Sequence, residues 1–286
     1  MKIRFAVVFA FAILVGGWQP AEAWNATGHM VVAQIAPDRL SPTAQARCTE
    51  LLLIGALPTE TRNPAALFLS AACWADDSKN PADVEMHFIS LPFTTDGTTP
   101  RLPKSRSNIV DAIMECVRVL ENPAAPKLER ATKLRLLLNL MGDIHQPLHC
   151  ATRCNEQEPH GDKNGHSFML GDGSSLRGFW ENGAGLLKTV VTRPLTADGL
   201  AKIAHLKQQI TTACPVDTVE GELEEKSPRK WAEDSLEVAK GYAYGISPQE
   251  VPSKEYVFQA QEQIKRRLAL AGYRLAALLN DLFDKK

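Results

Sequence analysis

Apolar residues recur at intervals of three and four through almost the whole chain, a spacing that commits it to packed helices. The last stretch shows it most clearly: Ile264, Leu268, Ala271, Leu275, Leu278 and Leu282 line one side of a helix, and that stripe has to be covered by other elements. Further helices are expected near 27–36, 42–54, 64–77, 106–121, 128–145 and 197–212. Ser227-Pro228, ahead of Trp231, Leu236 and Ala239, reads as an N-cap followed by proline in the first helical position. Alternation with a period of two is brief and lies around Phe168 to Leu170. The expected fold class is therefore all-α, a helical bundle. Two segments, 78–105 and 150–175, are polar and rich in glycine or proline, and loops of that length in a compact domain are usually functional or disordered.

The first residues follow a different logic. Lys2 and Arg4 precede an apolar run from Phe5 to Val15 and the small-residue ending Ala21-Glu22-Ala23, which is the pattern of a secretory signal. The run is well short of the roughly 20 residues of a membrane-spanning helix. Residues 1–23 are thus expected to be a signal peptide and 24–286 a single helical domain, because no Gly/Ser-rich linker, charge block or repeat divides the remainder. Cleavage after Ala23 makes Trp24 the mature N-terminus of a secreted or periplasmic protein with no stable membrane partner. In such a compartment Cys48, Cys73, Cys116, Cys150, Cys154 and Cys214 are expected to form disulfides. Cys150 and Cys154 are close enough for a local bridge, and no Cys-x-x-Cys pair suggests a thiolate metal site.

Lys+Arg 32 against Asp+Glu 33 gives a formal net charge of −1, so no overall field recruits a polyanion. If nucleic acid is the substrate, bound metal ions have to supply the attraction.

Taken singly, each His or Asp here is an ordinary surface or hydrogen-bonded residue; their arrangement carries the argument. Trp24 and His29 open the mature chain, Asp76 closes the turn Cys73-Trp74-Ala75-Asp76, and His87 follows in a loop. Asp143 and His149 bracket the octet Gly142-Asp143-Ile144-His145-Gln146-Pro147-Leu148-His149. Carboxylates and imidazoles without free thiolate suit zinc. Pro147 forces Gln146 out of helical geometry, so the chain turns there and can bring His149 to the side of Asp143.

Trp24-x4-His29, Trp74-Ala75-Asp76, Met86-His87-Phe88 and the octet ending at His149 resemble, in order, the signature of the S-one/P-one single-strand nucleases. That family is structurally similar to bacterial zinc phospholipase C. Ser227-Pro228-x2-Trp231-Ala232-Glu233-Asp234-Ser235 and Ala271-Gly272-Tyr273-Arg274-Leu275-Ala276-x2-Leu279-Asn280 also resemble its C-terminal segments. The resemblance implies up to three zinc ions in a cleft and hydrolysis of phosphodiesters in single-stranded DNA or RNA to 5′-phosphate products. It implies one ion on the α-amine and carbonyl of Trp24, on His29 and on Asp143. It implies a second on Asp76, His87, Asp143 and the position four residues before Asp143, and a third on His149 with a His-x3-Asp pair further on. Asp76 is then both ligand and catalytic carboxylate.

The chain departs from this pattern at named positions. Asn139 stands four residues before Asp143 in place of histidine, a weaker ligand on the same helical face. In Ser175-Leu176-Arg177-Gly178-Phe179-Trp180-Glu181 the carboxylate is Glu181, and Arg177, a permanent cation, stands where the family has a ligand. One or two ions are therefore expected, with Arg177 as a catalytic clamp on a phosphate oxygen. His166, in the altered segment Gly161-Asp162-Lys163-Asn164-Gly165-His166, is a compensating ligand or a solvent-exposed loop residue; His160 and His205 are read as surface groups. Two functional classes stay open: an active nuclease, and a non-catalytic relative that binds metal and nucleotides or another partner. A phospholipid phosphodiesterase is a third. Phe93, Phe168, Phe179 and Trp180 are candidate stacking faces for unpaired bases, with Trp74 and Trp180 alternatively read as core. A monomer is expected, and Asn25-Ala26-Thr27 is a sequon expected to stay unmodified.

Overall fold

The computed structural model describes residues 24–56, 63–78, 81–189 and 191–284; the expected signal segment, 1–23, lies outside the described residues. The helices are α1 (Ala26–Ile35), α2 (Pro42–Leu53), α3 (Pro64–Ala72), α4 (Trp74–Ser78), α5 (Ile109–Glu121), α6 (Lys127–Asp143), α7 (Leu176–Glu181), α8 (Ala197–Ala213), α9 (Glu220–Leu223), α10 (Pro228–Val238) and α11 (Lys254–Phe283). The fold is all-α, as the apolar spacing requires. Helix starts follow local chemistry: Asn25, Ser41, Asn108 and Ser253 each accept a backbone N–H from the first turn of the helix they precede. Ser227 does the same for Lys230 with Pro228 behind it. Among the described residues no helix is long and apolar enough to cross a membrane.

α1 is the axis of the bundle, packed against α3, α6, α8 and α11. Thr27 to Ala33 are all buried, the all-round burial of a central helix. α11 crosses it closely: a Cβ on Gly272 would stand 2.5 Å from Ile35 Cβ, so glycine is what lets the two backbones meet. This crossing fixes His29, one turn into α1, relative to everything behind it.

Two expectations change. The helix expected over 64–77 breaks at Cys73, whose φ of −96° and ψ of −5° leave the regular helix, and α4 restarts on a new axis that carries Asp76. The strand expected around Phe168 to Leu170 is only an isolated antiparallel bridge between Met169 and Ser175. The strands are instead β1 (Leu91–Thr94) and β2 (Ala151–Cys154), paired in parallel from Leu91 with Ala151 to Thr94 with Cys154. This short ladder joins the two long loops, and Ile89 N–H donates to His149 O at 2.8 Å just before it.

Candidate metal centre

The site forms where α6 ends. Gln146 is extended, with φ of −84° and ψ of 117° ahead of Pro147, so the helix cannot continue. The carbonyl end of α6, the negative end of its dipole, therefore lies beside Asp143. His29 enters from α1, Asp76 from α4, His87 from the end of the 3-10 turn Pro81–His87, and His149 from the turn Pro147–His149. Trp24 is wholly buried, and its indole Nε1 donates to Gly142 O at 3.0 Å. Gly142 has no room for a side chain: a Cβ there would stand 2.8 Å from His29 Nδ1 and 3.6 Å from Trp24 Cδ1.

Four expected ligands meet directly. His29 Nε2 is 3.3 Å from Asp143 Oδ1 and 3.6 Å from Asp76 Oδ2. His87 Nδ1 is 2.7 Å from Asp143 Oδ2 and 3.9 Å from Asp76 Oδ1. Burial, above all, together with the Asp143 carboxylate, raises the Asp76 carboxyl to about 6, against the pull of His29, His87 and Asn139. His29 Nε2, Asp143 Oδ1 and Asn139 Oδ1 are buried without a hydrogen-bond partner, an expensive condition unless something else satisfies them. Two donors on a tetrahedral zinc, each about 2.0–2.1 Å from it, stand roughly 3.3 Å apart; the separation of His29 Nε2 from Asp143 Oδ1 suits that. The His87–Asp143 contact is closer, at hydrogen-bond length. Accordingly, among the described residues no group of three or more His, Cys, Asp or Glu side chains is arranged to hold an ion as it stands. The donor types, two imidazoles and two carboxylates with orphaned atoms among them, are nonetheless of the kind that suits zinc.

The departures from the family pattern take definite places. Asn139 turns its amide nitrogen toward the carboxylate, donating to Asp76 Oδ2 at 2.7 Å and to Ala72 O at 2.9 Å, so it holds Asp76 in position. Arg177 is 1% exposed. Its Nε donates to Glu181 Oε1 at 2.7 Å, its Nη1 to Leu148 O at 3.0 Å, and its Nη2 lies against His149 Nε2. The guanidinium expected to clamp substrate phosphate is thus enclosed, held between His149 and Glu181.

Groups outside the expected ligand set fasten the octet. Ser235 Oγ donates to Ile144 O at 2.5 Å, Arg267 Nε to His145 O at 3.0 Å, and Cys150 Sγ to Ile144 O at 3.4 Å. Arg267 also donates to Ser235 Oγ. His145 is bonded outside the ligand cluster: its Nδ1 donates to Met141 O at 2.8 Å and its Nε2 accepts from Arg274 Nη1 at 3.1 Å. Burial, with Arg267 and Arg274 adding to it, holds its pKa well below 6.5. Below about pH 6.5 the unfolded chain takes up a proton that the folded chain refuses. Stability is therefore present above that pH and is expected to fall as pH drops, by up to about 1.4 kcal/mol per unit from this group. Urea unfolding at several pH values should show a shallower acid slope for His145→Gln; equal slopes would remove His145 as the cause.

The remaining expectations sort by burial. Trp180 and Phe168 are core: Trp180 Nε1 donates to Tyr256 OH at 3.0 Å, and Phe168 lies under the Arg153 guanidinium, 4.5 Å from its ring centroid. Neither offers a free face. Phe93 and Phe179 are half-buried, and Trp74 is 39% exposed. His160, His166 and His205 are exposed. Among the described residues the expected disulfides are not formed: the six cysteines are buried, and the Cys150 thiol donates to Ile144 O. Asn25 Nδ2, in the sequon, donates to Asn182 Oδ1 and Leu187 O at 3.1 and 2.9 Å.

The model of the family described as S1/P1 Nuclease matches residues 24–284. Endonuclease 2 of Arabidopsis thaliana is 26% identical across 91% of this chain and 90% of its own length. Endonuclease 4 of the same plant is 25% identical across 99% and 95%, and Endonuclease 5 is 30% identical across 54% and 51%. A family match that takes in every element bearing on the cleft, from Trp24 through the octet to α11, settles the kinship: the chain belongs to the S1/P1 nuclease family.

Proposed function

We propose that this chain is an exported, zinc-dependent, monomeric nuclease that hydrolyses phosphodiester bonds of single-stranded DNA or RNA and leaves 5′-phosphates. The observation that carries the reading is the pair of buried, unpartnered atoms His29 Nε2 and Asp143 Oδ1, 3.3 Å apart at the end of α6. Zinc held there would supply Lewis-acid polarisation of the phosphodiester and activation of water. The chain's own part is to orient and to exclude solvent. Asn139 fixes Asp76, Trp24 packs against Gly142 and keeps water from His29, and the end of α6 favours positive charge beside Asp143. The half-buried Phe93 and Phe179 and the exposed Trp74 offer ring surface on which bases without a pairing partner can stack.

Export rests on residues 1–23 and is supported by a family match that starts at residue 24. Only cleavage after Ala23 frees the Trp24 α-amine as a ligand. A second reading, a relative that binds metal and nucleotides without cleaving, draws on Arg177 filling the space between His149 and Glu181. The two separate in one assay on the mature protein with single-stranded and duplex DNA and RNA. The nuclease reading expects cleavage of single strands that is lost on chelation and restored by zinc. Zinc-reconstituted protein that binds nucleotides yet cleaves neither polymer would establish the second reading, and cleavage indifferent to chelator would remove zinc from the account.

A further inference from the structure

We propose that the Arg177 guanidinium takes the place of a metal ion between His149 and Glu181, so that this chain confines its ions to the His29, Asp76, His87 and Asp143 cluster. The inference rests on the metal-dependent reading above for that cluster, but its own argument is local. His149 Nδ1 donates to His87 O at 2.6 Å, which leaves Nε2 as the ring's acceptor, and that atom faces Arg177 Nη2. Glu181, one helical turn after Arg177 on α7, meets Nε at 2.7 Å. A metal ion in this half of the cleft would need the same Nε2 lone pair and the same carboxylate. Both already face a cation.

The replacement is not one that an ion could easily reverse. A guanidinium keeps its charge at every accessible pH and presents its donors in a rigid fork, so it cannot give way by losing a proton, as histidine does when it becomes a ligand. Arg177 is 1% exposed and further anchored by Nη1 to Leu148 O at 3.0 Å and by its backbone N–H to Gly165 O at 3.2 Å. It therefore does mechanically what a structural ion does. It ties α7 to the turn Pro147–His149 and, through Glu181, whose backbone O accepts from Asn25 N–H at 3.1 Å, to the start of α1. Its charge is permanent where an ion's would be exchangeable, and it bears on a phosphate only through the residues it holds. Arg177 is a positioning residue in this account.

The test is zinc content per chain after reconstitution and desalting, measured on the mature native protein and on Arg177→His, His149→Ala and the double variant. Native protein and His149→Ala should carry the same number of ions. Arg177→His should carry one more, with a larger zinc-dependent rise in Tm than the native chain, and the double variant should lose that gain. A drop of one ion in His149→Ala would overturn the proposal, as would an Arg177→His count equal to native. If Arg177→His does not fold, His149→Ala in the native background still decides. Native protein that holds no zinc at all would retire the metal-dependent reading, whereas an ion gained by Arg177→His would still uphold the place assigned to Arg177.

Discussion

Asp143→Asn is expected to lower kcat/KM on single-stranded DNA by on the order of 10³-fold while leaving the metal-free protein folded. Asp143 is wholly buried at the end of α6, and its two oxygens serve different neighbours: Oδ2 meets His87 and Oδ1 faces His29 without a hydrogen bond. Asparagine preserves shape and packing but removes the charge that would draw the two halves of the cluster to one ion. A loss of preorganised charge of this kind typically costs about 10² to 10³ in rate, which at the upper end is roughly 4 kcal/mol of transition-state stabilisation. The fold should not suffer, because relief of a buried carboxylate offsets the weakened contact to His87. Steady-state kinetics together with thermal melting in chelator check both halves of the expectation. Retained turnover in Asp143→Asn would remove this residue from the chemistry, and a collapsed melt would recast it as structural.

Arg267→Met should produce the largest loss of stability, about 3 kcal/mol, and loosen the site as well. Arg267 lies inside the molecule with burial pulling its pKa down to about 10, and its donors go to His145 O and Ser235 Oγ. Methionine fills much of the volume but leaves a buried carbonyl and a buried hydroxyl with one partner fewer, at about 1–3 kcal/mol for each group left unsatisfied. Because His145 lies two residues after Asp143, a slack turn also misplaces that carboxylate, and outlying groups of this kind typically matter about 10- to 100-fold in metal affinity. Urea denaturation and competitive zinc titration measure the two effects. Loss of stability with zinc affinity intact would show that the octet holds its shape without Arg267.

These two residues also mark what the sequence makes legible. Asp143 stands in an octet whose proline, turn and flanking histidine can be read in order along the chain, and α6 ends where Pro147 requires. Helices α1, α2, α5, α8 and α11 follow apolar periodicity and polar caps, which are local properties. β1 and β2 do not, because a parallel ladder between segments some sixty residues apart leaves no alternation of its own. The break at Cys73 is equally silent, since Ala71 to Asp76 carries no proline or glycine to announce it. Arg267 carries a signal of its own: it falls three residues after Ile264 and four before Ala271, on the buried stripe of α11, where a charge requires a partner. That its partner is the carbonyl of His145, far away in sequence, only the packing of α11 against α6 reveals. Arg177 is legible as a cation out of place, but its enclosure depends on α7 meeting the turn at His149.

Crystals of the mature protein grown with zinc, with diffraction recorded on both sides of the zinc absorption edge, locate ions by anomalous scattering without any assumption about activity. The predicted result is a strong peak within bonding distance, about 2 Å, of His29 Nε2 and Asp143 Oδ1, and none between His149 and Glu181. A peak between His149 and Glu181, with none at His29 and Asp143, would contradict it.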